Sequence, residues 1–242
     1  MEQTAGHTFT SGRVLSDTFA IFFANFMAFG VIVLIILSPT FVGQGWLILA
    51  AQQDPNEFST WSLVLMLLGV VLSPLATAAL TYGVFQQVRS KPVSVGDCFS
   101  VGFSRMFPVL GVGILVGIIV MVGMVLCIIP GVIAATVLAA AVPAVVIERL
   151  GVFRSLSRSS ELTKGFRWPA FGVIFGIGLL QMVVSIPVSL LATVSPMAYF
   201  LAIVLTGVIF TGLQATAWTL LYYNLRKAKE TIDVEEIAAA FA

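Results

Sequence analysis

The sequence predicts an all-α membrane protein: six transmembrane helices in three helical hairpins, each hairpin preceded by a cytoplasmic interfacial amphipathic helix. Three observations predict it. Hydrophobic residues make up 59% of the 242-residue chain and charged residues only 10%, where a soluble domain carries about 25% charged residues. The apolar stretches reach the ~20 residues that a bilayer crossing needs. All 12 Lys and Arg residues fall on one side of a six-span topology.

The spans are read at 25–43, 62–85, 106–128, 129–147, 169–192 and 197–223, so that residues 1–242 form a single polytopic membrane domain and 224–242 a cytoplasmic tail. The N-terminal "MEQTAGHTFTSGRV" lacks the cationic start and small-residue cleavage site of a signal peptide, and the first apolar stretch is expected to stay as a span. The cations are Arg13; Arg89, Lys91 and Arg105; Arg149, Arg154, Arg158, Lys164 and Arg167; and Arg226, Lys227 and Lys229. The other three connections, near 44–61, 128–130 and 193–196, contain none, and the first holds only Asp54 and Glu57. Cytoplasmic loops are rich in Lys and Arg, which places both termini in the cytoplasm. Trp46 and Trp61 then mark the outer interface, and Trp168, Tyr222 and Tyr223 the inner one.

An amphipathic stretch precedes each outgoing span. Before the first, Leu15, Phe19, Phe22 and Phe26 recur at helical spacing, with Arg13 and Asp17 on the other side. Before the third, the stripe is Val95, Phe99, Phe103 and Met106, opened by Ser94 and Asp97 at capping-box spacing. Before the fifth, Val152, Phe153 and Leu156 share a face opposite Arg154, Arg158 and Glu161, and Gly165 is a natural stop. Each is expected to lie in the interface, apolar face down. The spans then open on similar wording, "NFMAFGV" (25–31), "MFPVLGV" (106–112) and "WPAFGVI" (168–174), as in three copies of one unit.

"RSSELTKGFRW" (158–168) holds four charges in eleven residues. Its plain reading is a positive-inside loop. Its chemical reading is an anionic-headgroup site built from Arg154, Arg158, Lys164, Arg167 and Trp168, because a cation near such headgroups is worth about 1 kcal/mol. Glu148, at the cytoplasmic end of the fourth span, needs a cation close to hydrocarbon. Arg149 cannot supply it, since helix neighbours do not face each other. A structural polar cluster of Glu148, Arg158 and Glu161 is therefore expected.

No charged residue lies near the centre of a span, which argues against ion-coupled transport. Gln181 and Gln214 are the deepest large polar groups, and are read first as interhelical glue and second as substrate contacts. Gly113 and Gly117, and Gly172 and Gly176, are spaced for close helix packing, within the chain or against another protein. One His and two separated Cys cannot build the usual metal sites, and no nucleophile elbow, P-loop or dinucleotide fingerprint occurs. No catalysis, cofactor or metal is expected. The net charge of +1 suggests no nucleic-acid partner.

The stretch "VPAVVIERLGVFRSLSRSSELTKGFRW" (142–168) resembles a bacterial inner-membrane family of unknown function. That family is related to the membrane domain fused to some glycerophosphodiester phosphodiesterases. The resemblance rests on Pro143, Glu148, Arg149, Gly151, Arg158, Ser159, Glu161, Leu162, Thr163, Lys164, Gly165 and Trp168, and the tail "LRKAKETIDVEEIAAAF" (225–241) is similar to alphaproteobacterial members. It implies a polytopic helical protein of the inner membrane and no activity. The phosphodiesterase chemistry needs a separate catalytic barrel with histidines, and the one histidine here is His7.

The expected function is a non-catalytic inner-membrane module, accessory or scaffold, that organises lipid or assembles with another integral membrane protein. Its partners would be membrane lipids, through anionic headgroups on the cytoplasmic side. The alternative is a carrier or permease for a lipid-like or small apolar substrate. A cavity meeting Gln181 or Gln214 would favour the carrier; a small-residue helix face open to lipid would favour a protein partner.

Overall fold

A computed structural model describes the backbone of residues 10–50 and 55–240, and side chains for 10–50 and 61–230. His7, Asp54 and the side chain of Glu57 lie outside the described residues, as do the side chains of the tail beyond Glu230. Every regular element among the described residues is helical: α1 (Ser11–Ala24), α2 (Phe26–Ala50), α3 (Pro55–Val88), α4 (Val95–Leu126), α5 (Ile128–Leu138), α6 (Ala141–Ile147), α7 (Val152–Thr163), α8 (Arg167–Val194) and α9 (Pro196–Ala240). Six stretches are long and apolar enough to cross a membrane: Phe26–Ala50, Trp61–Val88, Val95–Leu126, Ile128–Ile147, Arg167–Val194 and Pro196–Glu230.

Helix α9 is the hub, touching α1, α2, α3, α6, α7 and α8. Phe22, Phe29, Leu80 and Leu213 close one core between α1, α2, α3 and α9. Leu162, Ala170, Tyr222 and Leu225 close a second where α7 and α8 meet α9. Helices α4 and α8 turn long faces outward, with Val125, Ile118, Met182 and Val194 exposed; in a bilayer such faces meet acyl chains without cost.

Capping and steric chemistry set the boundaries. The Ser94 hydroxyl accepts from Asp97 N–H and starts α4. At the end of α3, Ser90 takes φ 57° and Lys91 N–H closes back on the Gln86 carbonyl, the left-handed cap of a helix end. Helix α7 stops at Gly165, whose φ of 93° suits glycine. The tight turn at "IIPG" brings α4 and α5 together at Gly123 and Gly131, where a Cβ on Gly123 would lie 2.8 Å from the Gly131 backbone.

Four expectations are corrected. The stripe before the third span is not a separate helix, because α4 runs unbroken from Val95 through Pro108 to Leu126. The stripe of α1 turns inward: Val14, Thr18 and Phe22 are buried, and Phe22 lies over Gly212 of α9 so closely that a Cβ there would overlap its ring. Aromatic bulk in α1 finds a glycine in the bundle. In α7 the buried face is Ser155, Ser159, Leu162 and Thr163, while Phe153 is 78% exposed. Tyr222 is fully buried, not interfacial, because its hydroxyl has a carboxylate partner inside. Beyond residue 224 the chain continues α9 to Ala240.

Candidate functional site

The fourth span is broken. Helix α5 ends at Leu138 and α6 starts at Ala141, two residues ahead of Pro143. A proline has no N–H to give the carbonyl four residues back, and its ring crowds that carbonyl. The break frees backbone groups that lipid cannot satisfy. Helix α7 satisfies two of them. The Ser159 hydroxyl donates to the Val137 carbonyl at 2.7 Å and accepts from Ala140 N–H at 3.2 Å. The Thr163 hydroxyl is 3.3 Å from the same Val137 carbonyl. The spacing Ser155, Ser159, Thr163 gives α7 a face of small hydroxyl side chains that fits the gap.

An ion-pair chain holds α7 from its other side. Arg158 Nε donates to Glu148 Oε1 at 3.1 Å, and the Tyr222 hydroxyl donates to the same oxygen. Arg158 Nη2 lies 3.2 Å from Glu230 Oε1, which also receives Arg226 Nε at 2.6 Å. Glu148 ends α6, Arg158 is in α7, and Tyr222, Arg226 and Glu230 are in α9. Burial works against the Arg158 charge, but the hydrogen bond and charge of Glu148 outweigh it and hold its pKa above the ordinary guanidinium value. The neighbouring Arg149 takes φ 57°, which costs an ordinary side chain about 1–2 kcal/mol and turns the chain so that α7 folds back.

Arg158 and Glu148 thus meet, and Glu161 does not join them. Glu161 is exposed and accepts from the Ser157 hydroxyl at 3.4 Å. Tyr222 and Glu230 were not foreseen as members. Among the residues expected to meet headgroups, Arg154, Lys164, Arg167 and Trp168 are exposed, and Trp168 begins an aromatic ladder along α8 with Phe171 and Phe175. Arg158 differs from them in being engaged by two carboxylates.

The two glycine pairs behave differently. Gly172 and Gly176 receive Ser11 and Leu15 of α1, where added Cβ atoms would come within 2.6 and 3.0 Å. They pack within the chain. Gly113 and Gly117 are exposed, with nothing within 4 Å of an added Cβ. The close approach of α4 to its neighbour is at Gly123 and Gly131 instead, a pair hidden from sequence spacing because the glycines belong to different helices.

Gln181 and Gln214 meet across α8 and α9, with Gln214 Nε2 donating to Gln181 Oε1 at 2.7 Å. They end a cleft of about 400 Å³ between the two helices. Ser185 and Ser189 of α8 and Thr206 and Thr211 of α9 line it, with Tyr199 also on its wall. Trp46 and Trp61 pack edge to face at 5.4 Å, beside a separate groove between α2 and α3.

In comparisons with known proteins, no family model matched the chain, and neither a curated protein nor a solved structure matched it.

Proposed function

We propose that this chain is a non-catalytic, multi-pass protein of the bacterial inner membrane, an accessory or scaffold module that organises lipid from the cytoplasmic side. In this reading the six spans form three hairpins, both termini are cytoplasmic, and α1, the start of α4 and α7 lie at the inner interface, clamped to the bundle by their buried faces. The single observation that carries it is the surface around the α7–α8 turn. Phe153 and Trp168 are exposed at 78% and 83% beside exposed Arg154, Lys164 and Arg167. Aromatic rings at headgroup depth next to cations are the pattern of an anionic-lipid anchor. The wording at 142–168 supports the inner-membrane placement through the family it resembles.

The test is retention of phosphatidylglycerol and cardiolipin during purification in mild detergent. At about 1 kcal/mol per cation, changing Arg154, Lys164 and Arg167 together to Gln should weaken association by up to roughly a hundredfold. Unchanged anionic-lipid retention would leave these residues a topology signal only. The carrier is the second reading, favoured by the cleft that Gln181 and Gln214 close. Flux of a lipid-like substrate into proteoliposomes, lost on filling that cleft, would establish it.

A further inference from the structure

The geometry points to the α8–α9 cleft as a binding site for an uncharged, hydroxyl-bearing amphiphile that enters sideways from the bilayer. The placement of the polar groups is the first ground. Helix α8 is 28 residues long, so Gln181 stands about 20 Å from either end, near the middle of the membrane. Ser189 lies about 12 Å further along the same helix. Ordinary phospholipids put polar atoms at the surface and acyl chain at this depth. The cleft places polar side chains at this depth among apolar ones, Val184, Val188, Ile203 and Phe210, a lining that suits a molecule with both a hydroxyl and a chain.

The second ground is hydrogen-bond inventory. The hydroxyls of Ser185, Ser189 and Thr206 donate to carbonyls of their own helices, at 2.8, 2.7 and 2.6 Å, so each keeps acceptor capacity toward the cleft. Gln181 uses its oxygen for Gln214, and its own amide N–H groups have no protein partner among the described residues. The wall therefore offers acceptors along its length and donors at its deep end. A hydroxyl group both donates and accepts, and matches it.

The third ground is charge. No Lys, Arg, Asp, Glu or His is among the described residues lining the cleft. A phosphate or ammonium at this depth would lack a counter-charge and a hydration shell, which is costly in hydrocarbon. The volume falls in the range of small-molecule sites, roughly 300–1,000 Å³. Long-chain alcohols and acylglycerols belong to the indicated class. The site does not depend on transport or on the cationic surface at the α7–α8 turn.

The experiment is photolabelling of the full chain in phosphatidylcholine nanodiscs with a diazirine-bearing monoacylglycerol. Saturable labelling is expected, with adducts mapped between residues 181 and 214. Unlabelled monooleoylglycerol should compete and phosphatidylglycerol should not. Gln181→Leu, which faces the cleft and not a packed core, should lower labelling about fivefold, the value of one membrane hydrogen bond. Ser185→Phe, filling the cleft, should abolish it, and Gly113→Leu on an exposed face of α4, outside the cleft lining, should not change it. Equal competition by phosphatidylglycerol would overturn the uncharged-ligand assignment. Labelling indifferent to both cleft variants would overturn the site, even if Arg154, Lys164 and Arg167 proved to bind headgroups.

Discussion

Changing Arg158 to Gln removes the centre of the ion-pair chain and leaves Glu148 with the Tyr222 hydroxyl alone. The Glu148 side chain is 17% exposed and that of Arg158 28%, so the pair is partly withdrawn from solvent. A hydrogen bond between charged groups contributes about 1.5–3 kcal/mol. The second arm, to Glu230 at 48% exposure, is screened and adds about 0–1 kcal/mol. Arg158→Gln should therefore cost about 2–3 kcal/mol. For a chain of this length each kcal/mol shifts Tm by about 2–4 °C, giving a fall of roughly 4–12 °C. Tryptophan fluorescence during heating in mild detergent reads it. Glu230→Gln, which cuts two screened pairs, with Arg158 and with Arg226, should shift Tm by at most about 6 °C. A double-mutant cycle between Glu148→Gln and Arg158→Gln should show coupling of about 1–2 kcal/mol. Equal Tm for Arg158→Gln and Glu230→Gln, or zero coupling in the cycle, would refute the view that Glu148 is the partner that matters.

The native cysteines test orientation without engineering: Cys127 is exposed at the α4–α5 turn and Cys98 is buried. An impermeant thiol reagent should label intact cells through Cys127, Cys127→Ser should abolish that signal, and a cysteine introduced at Ser90 in the Cys127→Ser background should react only after permeabilisation; the opposite pattern would invert the topology. The glycines separate close packing from open faces. Gly123→Ala, meeting backbone at 2.8 Å, should destabilise by about 1–3 kcal/mol, whereas Gly113→Ala, open on all sides, should be neutral or gain up to about 1 kcal/mol from helix propensity; thermal unfolding of the two variants in detergent decides, and equal Tm would remove the packing argument.

Much of the architecture was legible because length and apolarity alone decide which segments cross a bilayer. The start of α4 at Ser94, the stop at Gly165 and the need of Glu148 for a distant cation were also legible, since each follows from local chemistry. The faces of the short helices were not. Ser155, Ser159 and Thr163 look like a solvent face by the logic of water, but hydroxyls are what a broken transmembrane helix requires. Glu161 lies near Arg158 along the helix, which points to a pair; the nearer carboxylates in space are Glu148 and Glu230, the latter 72 positions away. Phe22 over Gly212 and Gly123 against Gly131 are contacts between elements, and no spacing within one element encodes them. Gln181 and Gln214 stand out in the sequence by their depth alone, while the cleft beside them and its hydroxyls depend on how α8 and α9 pack.

The break in the fourth span has a consequence for biogenesis. Val137 and Ser159 are 22 positions apart, so at a synthesis rate of about 5–20 residues per second the Val137 carbonyl waits roughly one to four seconds for its partner. During that interval the fourth span is an incomplete transmembrane segment with a polar notch in its side. It cannot settle in lipid at full depth until α7 has emerged and folded back. The α7 segment thereby acts as the closing piece of a span made before it, and the order of translation becomes part of how this bundle is assembled.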